Sequence, residues 1–287
     1  MATEEPGLRD ALTIDVEEHF QAHAFESVIR RSEWDQQPSR VVASTRRVLA
    51  LLAERDVRAT FFVLGWVADR RPDLVREIAE AGHEIATHGY WHELVYRQRA
   101  DEFRADVLAS VEAIERATGG IRPVGYRAPS FSITRQSWWA LDVLRDCGFV
   151  YDASVFPVGI HDRYGVSDAP RFAHRLPNGL LELPASTLRV AGRNLPVAGG
   201  GYLRLYPLWL TQRAMRRIHD EGHPVMTYVH PWEFDPEQPQ VSDVPLRSRF
   251  RHRVNLGRSA ERLRMLLRTF SFAPIREVFA AQLAAGG

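Results

Sequence analysis

The stretch Leu12–Phe20, LTIDVEEHF, sets three acids, Asp15, Glu17 and Glu18, directly after a short apolar run, with His19 next. Farther along, EIATHGYWH holds His88 and His92 four residues apart. That spacing lets both imidazoles meet one ion if the backbone makes a helical turn. A third ligand must come from elsewhere, and an acid of LTIDVEE is the best source. Side chains alternate along a strand, so Asp15 and Glu17 point one way and Glu18 the other. One of the aligned pair can bind a metal while the other acts as a base. A His/His/carboxylate set leaves positions open for water and substrate, which is the pattern of a catalytic metal. His19, His23 and His83 are rivals by residue type, but no spacing favours them.

Three more residues of chemical interest end apolar runs: Arg127 in VGYRAP, Asp152 in FVYD and His230 in VMTYVH. The elements that must position them alternate. Strand-like runs fall at Ala11–Asp15, Ala59–Leu64, Glu84–Thr87, Val124–Arg127, Phe149–Asp152, Leu180–Pro184 and Val225–Val229. Helical periodicity fills most gaps. Val41–Arg55 gathers Val41, Val48, Leu49, Leu51 and Leu52 on one face. Pro72–Ala81 begins with proline and is followed by Gly82. Ala100–Thr118, Thr134–Cys147 and Thr211–Glu221 also end before glycine. Strands alternating with helices predict parallel β/α units, and seven strands fit a small or incomplete barrel. In such barrels the chemistry lies where the strands end. Residues 161–201, rich in Gly, Pro and Asn and including His161, read as an excursion with one clear strand. Within it, VAGGGYLRLYP reads as a flexible turn near the mouth, because it does not lead into a helix as a phosphate loop would.

Composition excludes other classes. The 287 residues carry a formal net charge of +1, so bulk charge implies no nucleic-acid partner. All 37 basic residues are arginine, which rules out a Schiff-base or P-loop lysine. A single cysteine, Cys147, forbids an internal disulfide framework and thiolate clusters. The first residues, MATEEPGLRD, lack the pattern of a signal peptide, and no apolar run is long enough to span a bilayer. The expected location is cytoplasmic, with the inner membrane surface as a variant. That variant comes from RSRFRHRVNLGRSAERLRMLLRTF, which holds eight arginines against one glutamate. Leu256, Leu263, Leu266, Leu267 and Phe270 form an apolar stripe there. The segment is either a helix packed on the barrel with its arginines solvated, or a contact with anionic lipid or a lipid-linked pyrophosphate sugar.

LTIDVEEHF, ATFFVLGWVA, AGHEIATHGYWH, GYRAPSFSIT, YDASVFP, LLELPAS and VMTYVHPWEFDP together resemble, in order, the polysaccharide deacetylase family (NodB-homology, carbohydrate esterase family 4). They cover about residues 11–235. The resemblance is greatest to the group associated with exosortase (PEP-CTERM) exopolysaccharide loci, whose C-terminal extension is similar to VNLGRSAERLRMLLRTFSFAPI. The resemblance implies a distorted (β/α)7 barrel with a C-terminal helical extension, one domain over residues 1–287 with its catalytic core at about 10–235. It also implies a divalent ion, zinc first, with cobalt, nickel or manganese as alternatives, and N-acetylated oligo- or polysaccharide as substrate. The family's first motif usually has two adjacent aspartates, and here DVEE stands instead. Carried over residue by residue, Asp15 becomes the base, Glu17, His88 and His92 the metal ligands, Arg127 the partner of the base and His230 the acid. Asp152 matches the fourth motif and would orient His230. Tyr90, Pro129 and Trp232 become candidate substrate contacts; aromatic residues beside the motifs either stack on sugar rings or pack under loops.

These roles form one reaction. A divalent ion lowers the pKa of a bound water and polarises a carbonyl. Asp15 takes the proton as water attacks, a backbone N–H just after Arg127 supports the oxyanion, and His230, titrating near neutrality, protonates the leaving amine. Two rivals stand beside this reading: a metal-independent amidase of the allantoinase-like branch, and an inactive carbohydrate-binding module.

Overall fold

A computed structural model describes residues 8–159, 164–197, 199–241 and 244–285. His161 lies outside them.

The first strand, β1 (Asp10–Val16), is buried at all seven positions, as a parallel strand covered on both faces must be. It is followed by β2 (Thr60–Val63), β3 (Glu84–Thr87), β4 (Gly125–Tyr126), β5 (Tyr151–Asp152), β6 (His174–Arg175), β7 (Leu181–Glu182), β8 (Thr187–Val190), β9 (Arg193–Pro196), β10 (Met226–Val229) and β11 (Phe272–Ala273). The main sheet runs β10-β1-β2-β3-β4-β5-β7-β6. The seven runs expected as strands are parallel members of this sheet, β11 pairs β1 in parallel as well, and β6 is antiparallel. Among the described residues β10 and β7 do not pair with each other, so the barrel is an open half-barrel wrapped by helices.

Helices fill the crossovers: α1 (Val41–Ala53), α2 (Gly65–Arg70), α3 (Pro72–Glu80), α4 (Ala100–Thr118), α5 (Trp139–Asp146), α6 (Gly200–Leu205), α7 (Leu208–Asp220), α8 (Leu246–Arg253), α9 (Ser259–Thr269), α10 (Ile275–Val278) and α11 (Ala280–Ala284). On α1, Val41, Val48, Leu51 and Leu52 are buried. They join one core with Leu12, Ile14, Phe61 and the far C-terminal Leu263, Leu266 and Leu267. The apolar stripe near the C-terminus therefore packs on the barrel, and an Arg264–Glu54 pair at 2.8 Å ties α9 to the end of α1. β11 adds to the start of β1.

Two readings of the excursion need correction. Besides the expected strand it holds β6 and an antiparallel hairpin, β8–β9. The glycine run is also no flexible turn, since Gly200–Leu205 is helical. Its glycines answer to packing: a Cβ at Gly199 would sit 2.1 Å from the Tyr228 ring. Gly125 has the same reason, at 2.0 Å from Tyr151. Backbone that close to an aromatic ring tolerates no side chain.

Candidate active site

At the end of β1 the three acids separate. Asp15 is buried and accepts from Arg127 Nη1 at 2.7 Å. Glu18 turns away: its carboxylate accepts from the Ser39 hydroxyl and from the Arg40 and Val41 N–H groups, at 2.8 and 3.0 Å. It thus satisfies the open amides at the N-terminus of α1 from outside the helix. Glu17 stays with Asp15. Its Oε1 accepts from Trp232 Nε1 at 2.9 Å. Its Oε2 lies 2.7 Å from His92 Nε2 and 3.9 Å from His88 Nε2.

Glu17, His88 and His92 are the one group of metal-type ligands found among the described residues, their ligand atoms all within 4.8 Å of one another. The backbone achieves this without the expected helical turn. Residues 88–92 form a bend in which Gly89 (φ 77) and His92 (φ 53) are left-handed. The half-buried Asp106 carboxylate on α4 holds that bend by accepting the Tyr90 and Trp91 N–H groups, at 2.8 and 3.0 Å. A metal fits this donor set. His88 Nδ1 is occupied by the Arg127 carbonyl at 2.8 Å, which fixes the ring and leaves Nε2 facing Glu17. Burial pushes His88 down to about 4, so its ring is neutral, the form that ligates. Burial works against ionising Glu17, but His92, His230 and His88 outweigh it and hold the carboxyl well below its ordinary range. Glu17 Oε2 is buried against the His92 and His88 ring nitrogens with no other hydrogen-bond partner, an arrangement that suits a shared cation.

Arg127, fully buried, is over-determined. It bonds Thr13 Oγ1 at 2.8 Å and the Ala153 carbonyl at 3.3 Å besides Asp15, and lies 4.1 Å over the Phe62 ring. The N–H just after it does not face the cavity free: Ala128 N–H donates to Ser154 Oγ at 2.7 Å, which corrects the oxyanion expectation. Asp152 also needs correction as the partner of His230. It accepts from Ser154 Oγ at 2.6 Å and shares a hydrogen bond with Glu182. Burial and Asp152 push Glu182 well above the carboxylate range, and burial raises Asp152 too, so this pair holds a proton between strands.

His230 instead has Glu233, three residues on, with Nδ1 3.1 Å from Oε1. Burial opposes its charge, yet Glu233, Glu17 and Asp15 raise it to about 9. Its Nε2 lies 3.8 Å from Asp15 and 4.0 Å from Glu17. Arg204, nearly fully buried, backs Glu233 at 3.6 Å. Sequence reading missed Glu233, although HPWE places it one turn past the histidine.

Of the three substrate candidates only Trp232 lines the cavity over this cluster. It stacks between His230 and His252, at ring distances of 5.1 and 4.3 Å, so its polar edge clamps Glu17. Tyr90 points its hydroxyl to Asp69 at 2.8 Å, outside the cavity. Pro129 does not line it either; its neighbours Ser130 and Phe131, both left-handed, do. Tyr164, Tyr202 and Tyr228 complete an aromatic wall of a cavity of about 860 Å³. Tyr228 was legible as the residue two before His230 on the same face of β10. More than half of the lining comes from residues beyond 153, including α8.

Fold and site define an α/β half-barrel with a carboxylate–histidine cluster at the ends of its strands. Residues 32–151 match the model of the family described as "Polysaccharide deacetylase", and residues 153–280 match "Domain of unknown function (DUF3473)". Residues 32–151 are thus similar to the polysaccharide deacetylase family. Asp15 and Glu17 lie ahead of both matched segments. Two curated relatives are each 36% identical. One is a peptidoglycan-N-acetylglucosamine deacetylase of Bacillus cereus, over 26% of this chain and 27% of the relative. The other is a chitooligosaccharide deacetylase of Bradyrhizobium sp., over 35% and 43%. The chain thus spans well under half the length of these relatives. A crystal structure described as a polysaccharide deacetylase from Mycobacterium smegmatis shares the fold, with a TM-score of 0.64 at 23% identity, covering 99% of this chain and 93% of that one.

Proposed function

We propose that the protein is a metal-dependent N-deacetylase of amino sugars, acting as a single domain over residues 1–287. One observation carries the reading: a Glu/His/His donor set, a buried Asp–Arg pair and a histidine–carboxylate pair converge on the floor of one cavity. The relatives' names add the acyl-sugar class. Glu17, His88 and His92 would hold a divalent ion, zinc first, which when bound supplies Lewis-acid activation of water and carbonyl. Asp15, fixed by Arg127, accepts the proton from the attacking water. His230, charged and aimed by Glu233, donates to the departing amine nitrogen, which cannot leave as an anion. Trp232 keeps Glu17 in place. Products are acetate and a free amino sugar. A polysaccharide or its lipid-linked precursor, in the exopolysaccharide setting of the group the sequence resembles and on the cytoplasmic side, completes the proposal.

The test is acetate release from N-acetylated oligosaccharides together with bound metal, for wild type and Asp15→Asn. Metal-dependent release that Asp15→Asn abolishes supports the reading. Release that survives full chelation points to the metal-independent amidase, and metal-loaded protein inert on every amide to a binding module.

A further inference from the structure

Helix α8 comes from the basic segment for which the sequence offered solvent, anionic lipid or a lipid-linked pyrophosphate sugar, and it forms a wall of the cavity over the cluster. Arg247 and Arg251, one turn apart, line the cavity with Phe250, while Arg249 between them does not. Four arginines and no acid lie on this helix. Among the described residues the acids lining the cavity are Asp15 and Glu17, both on the floor. The helix is also tied to the site's machinery. Buried Arg204 donates to the carbonyls of His252 and Val254, at 2.8 and 2.9 Å, and the His252 ring stacks on the Trp232 that clamps Glu17. The charged face thus stands at a set place relative to the cluster.

We propose that this face of α8 is an anion subsite, which takes a phosphate-type group attached to the acylated sugar and so places the acyl group over the cluster. Two guanidinium groups one turn apart are suited to bracket such a group, because each offers a planar fork of donors matched to phosphate oxygens. Tyr164, whose hydroxyl lies 3.2 Å from that of Tyr202, adds hydroxyl donors to the same cavity. The matched segment of unknown function, residues 153–280, then recognises the substrate of a cluster built largely by the preceding residues. The proposal rests on the deacetylase reading for the acyl sugar, but its anion subsite is tested by binding alone.

Calorimetric binding of N-acetylglucosamine 1-phosphate, N-acetylglucosamine and inorganic phosphate is compared in Asp15→Asn protein, so that turnover does not intrude. The sugar phosphate is expected to bind about tenfold tighter than the neutral sugar, an advantage that salt weakens. Arg247→Ala/Arg251→Ala removes the advantage; Arg249→Ala, which deletes one charge of the same helix outside the cavity, keeps it. Equal binding of the two sugars, or an equal loss in Arg249→Ala, overturns the subsite. So does a double variant that loses binding to phosphatidylglycerol vesicles while its sugar-phosphate binding is intact. Phosphate preference without acetate release from any substrate would sink the deacetylase reading and leave the subsite standing; the converse would do the reverse.

Discussion

Trp232→Phe isolates one atom of the site. It removes the Nε1–H that reaches Glu17 Oε1 at 2.9 Å and keeps a ring to stack between His230 and His252. A buried hydrogen bond to a charged group is worth about 1.5–3 kcal/mol. Part of that is lost with or without metal; what changes affinity is the freedom Glu17 regains. Outer partners of metal ligands typically account for about 10–100-fold in affinity, roughly 1.4–2.7 kcal/mol. The effect is readable in two ways. Zinc competition against a chromophoric chelator gives the affinity directly. Thermal unfolding gives it by linkage: zinc at about 100 times the wild-type Kd stabilises by about 2.7 kcal/mol. At the same zinc concentration a variant 10–100-fold weaker keeps only about 0.4–1.4 kcal/mol. Trp209→Phe, at a 63% exposed position, serves as the control and should match wild type. A Trp232→Phe protein that binds zinc within about threefold of wild type, with the same zinc-induced shift, refutes the clamp.

Other substitutions separate structure from chemistry. Glu18→Ala should cost about 1–3 kcal/mol in urea unfolding by opening the N-terminus of α1, yet keep zinc affinity, whereas Glu17→Ala loses zinc. Arg127→Met strands the buried Asp15 carboxylate and should cost about 3–5 kcal/mol, of which Asp15→Asn in the same chain restores a part; additivity of the two would refute the coupling. Glu182 is held well above the carboxylate range, so the folded state binds its proton more tightly than the unfolded chain. The stability this gives is full below the unfolded value of 4.5 and is lost as pH rises above it. Glu182→Gln should therefore flatten the fall in urea midpoint as pH rises above 4.5, and an unchanged slope would refute the shared proton.

The parallel strands were legible because burial on both faces writes continuous apolar runs, and Asp15, Arg127, Asp152 and His230 were legible as polar residues ending such runs. Alternation also separated Glu17 from Glu18 correctly, as Glu18 caps α1. What failed was partnership across the fold. Asp152 was assigned to His230 through the fourth motif of the resemblance, but its partner Glu182 comes from the neighbouring β7. His88 and His92 were given a helical turn because the i,i+4 spacing is helical, whereas Gly89 and Asp106 build a bend that reaches the same end. Glycines 199 and 200 read as flexibility because sequence does not show the Tyr228 ring that presses on them.

The boundary between the two family matches, after residue 151, is no boundary in the chemistry. It falls inside β5, and Arg127, within the first match, bonds the Ala153 carbonyl and lies 3.3 Å from Met226 Sδ in the second. β1, ahead of both, is hydrogen-bonded on one side to β2 from the first and on the other to β10 from the second. Asp15 and its partner Arg127 thus come from chain before residue 153, while His230, its carboxylate partner Glu233 and the Trp232 that clamps Glu17 come after it. Neither stretch holds a complete reaction: a fragment ending near residue 152 would keep the donor set for a metal but lack His230, Glu233 and Trp232. On the proposed reading, the segment of unknown function supplies half of one active site.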